Sequence, residues 1–263
     1  MGESIKTDFH SHIIPGVDDG SRTIEESMEM LNISVNSGIK RIVATPHFHV
    51  RRGYTVDTGV LKEKVEELKK RAAEEKIDIE IILGQEVGYN EELLEHFESG
   101  KLLNIGQSNY MLIEFPLRDF STKKALDIVY ELQVRGVKPI IAHPERYPRF
   151  IREPEVINRF IEEGFLFQLN GGSISGEFGK DSKKLSEIYL NHSIYSFIGS
   201  DGHNSTSRTT AMEECRNTIV KRSQRLLINL DENADKLLKG NEIVFSGELI
   251  KKSKGIFSFL YKK

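Results

Sequence analysis

The sequence lacks the parts from which several common functions are built. Its 263 residues contain one cysteine, Cys215. That excludes an intrachain disulfide and a cysteine-rich zinc site, and it suits a reducing compartment such as the cytoplasm. No run approaches the roughly 18 apolar residues that a membrane-spanning helix needs, and Met1 to Lys6 is polar. Neither a spanning segment nor a secretory signal is expected. There is no G-x-G-x-x-G fingerprint and no G-x-x-x-x-G-K-[ST] loop to suggest a nucleotide-binding sheet. With 7 prolines and no long Ser/Gly tract, no linker is visible. One domain of the size usual for an α/β barrel is expected. Charge of one sign is also missing: 37 basic residues face 40 acidic ones, a net charge of −3. That argues against a generic nucleic-acid binder, and a nuclease would need a basic track that is not there.

What is present is alternation. Short apolar runs are followed by amphipathic helical runs about seven times, at roughly 30 residues per unit. A first short strand contains Ile5, Thr7 and Phe9; further strands are expected at 39–45, 77–83, 110–115, 138–142, 165–169 and 193–199. Helices are expected at 23–37, 60–76, 90–98, 121–135, 154–163, 183–191, 209–222 and 233–239. Thr23-Ile-Glu-Glu26 reads as a capping box, and Gly38, Gly136 and Gly164 read as helix stops. The strands are apolar on both faces, as strands covered by helices must be. The fold class is α/β, a distorted (β/α)7 TIM-like barrel in a single domain.

Residues able to bind metal collect at the strand ends. His10 and His12 follow the first strand, with Asp18 and Asp19 just beyond; read alone, the pair is half a metal site or one crowded basic patch. His47 ends the second strand, Glu86 follows the third, Glu114 lies near the end of the fourth and His143 ends the fifth. Asp201 and His203 follow the seventh. In a β/α barrel all these ends lie on one face, where catalytic groups gather. Glu114 sits between Ile113 and Phe115, and a buried carboxylate is costly unless paired or metal-bound. Histidine with carboxylate and no thiolate suits manganese, iron or zinc. So many ligands exceed what one ion can use, so two or three ions are expected. His49, His96 and His192 lack convergent partners and read as surface or packing residues.

The motifs D-F-H-S-H-I-I-P-G-V-D-D-G, A-T-P-H, G-Q-E, L-I-E-F-P, I-A-H-P-E-R-Y and S-D-G-H-N occur in this order along nearly the whole chain. Together they resemble the polymerase-and-histidinol-phosphatase (PHP) superfamily, and within it the CpsB/YwqE-type metal-dependent tyrosine phosphatases of Gram-positive bacteria. The resemblance implies a PHP barrel with a three-metal site. His10, His12, Glu86 and Asp201 would hold the first ion. Glu86 would bridge to a second, completed by Glu114 and His143. Asp19, His47 and His203 would hold the third. Arg146 and Arg208 match the family's phosphate-binding arginines. A metal-bridging hydroxide would attack phosphorus in line, and the low basicity of a phenolate, pKa near ~10, eases its departure.

The implied substrate is the tyrosine-rich tail of a membrane-associated bacterial tyrosine kinase that controls capsule or exopolysaccharide synthesis. The implied location is the cytoplasm, at the inner face of the membrane. A histidinol-phosphate or other small-molecule phosphoesterase is the alternative on the same fold; a non-enzymatic scaffold would have no use for two phosphate-clamping arginines. Cys215 sits in M-E-E-C-R-N and is followed six residues later by Lys221, not Arg, so it lacks the C-x-x-x-x-x-R pattern of cysteine-dependent phosphatases. The barrel is expected over 1–247 and a basic, aromatic tail over 248–263. That tail can dock on an anionic membrane or pack as a strap on the barrel. The loop Arg51-Arg52-Gly53-Tyr54 is placed to frame a substrate. No residue pattern speaks for an oligomeric state.

Overall fold

The computed structural model describes residues 5–251. In chain order it contains β1 (Thr7–Ser11), α1 (Ile24–Asn36), β2 (Arg41–Ala44), β3 (His47–Phe48), α2 (Thr58–Glu74), β4 (Glu80–Leu83), β5 (Glu86–Gly88), α3 (Leu93–Glu98) and β6 (Tyr110–Glu114). Then follow α4 (Thr122–Val134), β7 (Lys138–Ala142), α5 (Pro148–Arg152), α6 (Ile157–Glu162), β8 (Leu166–Asn170), α7 (Gly171–Ser175), α8 (Lys180–Asn191), β9 (Phe197–Gly199), α9 (Glu213–Arg222) and α10 (Gln224–Leu238).

All the strand pairs are parallel, in the orders β1-β2-β4 and β3-β5-β6-β7-β8-β9. The two sheets are one wall. The second strand is broken around Pro46, which has no N–H to donate, and the third around Gly84-Gln85. Pairing continues across both breaks: Gly84 N–H donates to Ala44 O at 2.8 Å, and Glu86 N–H to Pro46 O at 3.0 Å. Counted this way, the nine strands fill the seven expected positions. The wall closes between β9 and β1, where Asp201 N–H donates to His10 O and His12 N–H to Gly202 O, both at 2.8 Å. Gly199 permits this approach, because a Cβ there would press on the backbone and Cβ of His10.

Alternation along the strands divides the core. Tyr110 and Leu112 of β6, Ile140 and Ala142 of β7, Leu166 of β8, Phe197 of β9, Phe9 of β1 and Val43 of β2 form one cluster. Ala234 and Leu237 of α10 complete it. Met111, Ile113, Ile141, Phe167 and Ile198 face the other way, into the cluster beneath the helices. The first set is the packed interior of the barrel. Glu114, two residues after Leu112, continues the interior face to the strand's C-terminal end.

Element boundaries differ from the sequence reading in understandable ways. Thr23 caps α1 through Glu26 N–H at 3.2 Å, but Glu26 reaches back to Arg22 N–H at 2.8 Å, one residue before the cap. The last helix begins at Gln224, not near residue 233, because Ser223 caps it through Leu226 N–H. The short helices α5 and α7 were not anticipated. Of the expected tail, 252–263 lies outside the described residues. Its first part straps onto the barrel: Glu248 N–H donates to His192 O at 2.8 Å, and Ile250 exchanges backbone bonds with the Asn158 side chain, both at 2.9 Å.

Candidate metal centre

All nine expected ligands and both arginines meet at the C-terminal ends of the strands. Glu86 stands in the middle. Its Oε2 lies 3.2 Å from His10 Nε2, 3.2 Å from His12 Nε2 and 3.0 Å from His47 Nδ1; its Oε1 lies 3.0 Å from His143 Nε2. Asp201 Oδ1 is 3.6 Å from His10 Nε2 and 3.4 Å from His12 Nε2. Glu114 Oε1 is 3.8 Å from His143 Nε2. Asp19 Oδ1 is 3.4 Å from His47 Nε2 and 3.6 Å from His203 Nε2. Two of the expected ligands carry a left-handed backbone, His143 at φ 31° and Asp201 at φ 53°. Such backbone is uncommon outside glycine and is held where the surroundings dictate it.

Donor atoms group within 4.8 Å as His10, His12 and Glu86; as His12, Asp19, His47 and His203; and as His47, Glu86 and Glu114. The first and second correspond to two of the three implied ligand sets, with His12 reaching both. In the third, His47 stands beside Glu86 and Glu114, and His143 reaches the same two carboxylates from the other side.

These residues fit divalent ions better than they fit one another. His10 Nε2 and His12 Nε2 are 3.1 Å apart, so only one proton fits between two nitrogens. His47 Nδ1 is buried and close to Glu86 yet not aligned for a hydrogen bond. Burial, reinforced by the Glu86 carboxylate, pushes Glu114 up to about 8. A cation beside it would restore the carboxylate. Burial lowers His47 and His143 to about 4 and also depresses His203, which leaves neutral imidazoles with lone pairs to give. Burial opposes charge on His12 as well, but the Asp18 carboxylate holds this imidazole well above its ordinary range. Protons held this way are what metal binding displaces.

Arg146 and Arg208 form a pair. Arg146 Nη1 and Arg208 Nη2 each lie 2.8 Å from Asp201 Oδ2. Their guanidinium carbons lie 4.1 Å and 5.7 Å from the centre of the Phe178 ring. A cavity of about 110 Å³ opens beside them, lined also by Arg52, Leu117 and seven of the expected ligands.

The arrangement is matched in known proteins. A family model for capsular polysaccharide synthesis, CpsB/CapC, matches residues 6–239. The chain belongs to the CpsB/CapC family. Tyrosine-protein phosphatase YwqE of Bacillus subtilis is 34% identical over 239 residues, 90% of this chain and 93% of the relative. Tyrosine-protein phosphatase CpsB of Streptococcus pneumoniae is 30% identical over 222 residues, 82% of this chain and 90% of the relative. A crystal structure from the work on YwqE and CpsB, described there as unique metal-dependent tyrosine phosphatases, superposes with a TM-score of 0.86 at 30% identity. It covers 94% of this chain and 100% of that one. A histidinol phosphate phosphatase from Lactococcus lactis superposes with a TM-score of 0.55 at 15% identity, covering 84% of this chain and 95% of that one, a likeness of fold alone.

The CpsB/CapC site also contains supports that the sequence reading passed over. Asp18, outside the three implied ligand sets, accepts from His12 Nδ1 at 2.8 Å and from His47 N–H at 2.9 Å. Gly20 keeps this turn tight, since a Cβ would sit on the His12 carbonyl. Gln168 Oε1 lies 3.0 Å from His10 Nδ1, and Asn170 Nδ2 donates to Asp201 Oδ2 at 2.7 Å. Buried Glu145 fixes the turn after His143 by accepting from Asn170 N–H, Ser173 Oγ and Tyr195 OH. The signal for Gln168 and Asn170 was their position: polar residues on the Leu166 face of an otherwise apolar strand.

Asp18 gives the first expected result. In Asp18→Asn the shape is kept but the carboxylate partner of His12 is lost. Metal affinity should fall by about 10- to 100-fold. Metal titration of the stripped protein reads this directly, and an unshifted titration would remove Asp18 from the site.

Proposed function

We propose that this chain is a metal-dependent protein-tyrosine phosphatase acting on a bacterial tyrosine kinase of capsule or exopolysaccharide synthesis. The observation that carries the reading is the pairing of two guanidiniums with a crowded His/carboxylate centre at the mouth of a phosphate-sized cavity. Membership of a family whose named relatives are tyrosine-protein phosphatases supports the substrate.

His10, His12, Glu86 and Asp201 would hold one ion; Glu86, Glu114 and His143 a second; Asp19, His47 and His203 a third. Manganese suits these nitrogen and oxygen donors, and iron or zinc fit the same set. Bound ions supply a Lewis acid and a water acidic enough to ionise near neutral pH. The chain's own residues do the rest. Arg146 and Arg208 bind and orient the non-bridging phosphate oxygens, and their charge opposes the charge that builds there. Asp18 and Gln168 hold the imidazoles in position. Arg52, from the loop after His47, adds a third guanidinium to the cavity wall. A kinase substrate at the membrane places the enzyme in the cytoplasm, at the inner membrane face. The basic, aromatic residues of 248–263 supply a means of contact with that surface.

The small-ester alternative is weighed by the same experiment that tests the reading. With manganese present, a phosphotyrosine peptide should be hydrolysed faster than histidinol phosphate or a phosphoserine peptide. A chelator should stop turnover, while Cys215→Ser should leave it intact, because Cys215 is buried and burial pushes its thiol up, away from the reactive thiolate. Faster turnover of histidinol phosphate, or activity that survives chelation and dies with Cys215, would overturn the assignment.

A further inference from the structure

The small cavity does not stand alone. A larger cavity of about 730 Å³ shares Glu114 and Leu117 with it. It lies between the loops that follow β3, β5 and β6, on the same face of the barrel. Its apolar surface comes from Tyr89, Pro116, Leu117 and Phe120. Four cationic or basic side chains line it: His49, Arg51, Arg118 and Lys124. Three acidic residues line it too, but each is engaged. Glu91 lies 3.6 Å from Lys124 Nζ, Asp119 accepts from Arg152 at 2.7 Å, and Glu114 belongs to the metal centre. Among the described residues, Arg51 and Arg118 form no ion pair, and both are exposed. The groove therefore presents two uncompensated guanidiniums above an apolar floor, directly beside the place where the phosphate would sit.

We propose that this groove binds the substrate chain next to the phosphotyrosine and selects an acidic residue there, through Arg51 and Arg118. The proposal rests on the phosphatase reading and names the substrate class of that site: acidic phosphotyrosine peptides. The floor takes aliphatic or aromatic carbon, and the rim takes a carboxylate. Two exposed pairs of this kind favour a Glu-flanked over a Lys-flanked peptide by about three- to tenfold in kcat/KM. Added salt should shrink the difference, because exposed charges are screened.

The test compares phosphotyrosine peptides flanked by Glu or by Lys, with p-nitrophenyl phosphate as the reference for the metal centre. Each peptide's kcat/KM is divided by that of the small ester. Wild type should prefer the Glu peptide, chiefly through KM. In Arg118→Glu, and more so in Arg51→Glu/Arg118→Glu, the preference should vanish or reverse. Equal use of both peptides by wild type, or a preference that survives the double substitution, overturns the groove assignment while small-ester turnover stands. Absence of turnover on every ester, with each metal supplied, overturns the phosphatase reading and the groove with it.

Discussion

Glu86→Gln should lower turnover of a phosphotyrosine peptide by about 10³-fold or more, beyond the 10- to 100-fold usual when only a supporting residue is lost. The substitution keeps the shape of the side chain and removes its charge. Four imidazoles depend on that charge, three on Oε2 and one on Oε1. Against the cost of burial, His10 and His47 hold Glu86 well below the ordinary carboxylate range, so it is an anion in the folded protein. An amide can offer one oxygen to a cation but cannot bridge two ions with full charge, and its NH₂ would face a histidine nitrogen. The fall in turnover should come with a fall in bound metal below the wild-type content. Metal analysis of the purified variant checks the second effect and steady-state kinetics the first. A variant that keeps all its metal and its rate would show that Glu86 is a structural anion only.

Much of this centre was legible because β/α architecture turns scattered residues into neighbours. His10, Glu86, His143 and Asp201 are far apart in the chain, yet each lies within two residues of a strand's C-terminal end. Parity did the same for Glu114, which shares a face with Tyr110 and Leu112. Where a residue's role depends on a contact and not on its place in the repeat, strand position was silent, and only the family resemblance singled out Asp19. Asp18 and Asp19 are adjacent and chemically identical. One turns to His12 Nδ1 and the other to His47 and His203, and only the turn closed by Gly20 decides which. Helix α7 was hidden for a similar reason. Gly-Gly-Ser-Ile-Ser has little intrinsic helix preference; the helix forms because the Asn170 side chain caps it at Gly172 N–H, 2.9 Å away. Asn170 thereby serves two ends at once, its Oδ1 on the helix and its Nδ2 on Asp201. The second and third strands were read only as far as residues 45 and 83, because Pro46 and Gly84-Gln85 look like strand ends; pairing resumes beyond them as β3 and β5.

Arg146→Ala should cost about 10²- to 10³-fold in kcat/KM for the phosphotyrosine peptide, the range found when one preorganised donor to a developing oxyanion is removed. The guanidinium is mostly buried, bonded to Asp201 at 2.8 Å and stacked 4.1 Å above Phe178. Both contacts aim it before substrate arrives, so little ordering remains to be done on binding. Its loss should not collapse the centre, because Asp201 Oδ2 keeps Arg208 at 2.8 Å and Asn170 at 2.7 Å. Metal content should therefore stay at the wild-type value, which separates this variant from Glu86→Gln. Arg146→Lys should recover little: an ammonium restores the charge but offers neither a planar fork for two phosphate oxygens nor a flat face for Phe178. Kinetics on both variants, with metal analysis of each, tests the assignment. Turnover within about threefold of wild type in Arg146→Ala would take the guanidinium out of the chemistry and leave it as a brace for Asp201, far short of the loss expected for a phosphate-orienting donor.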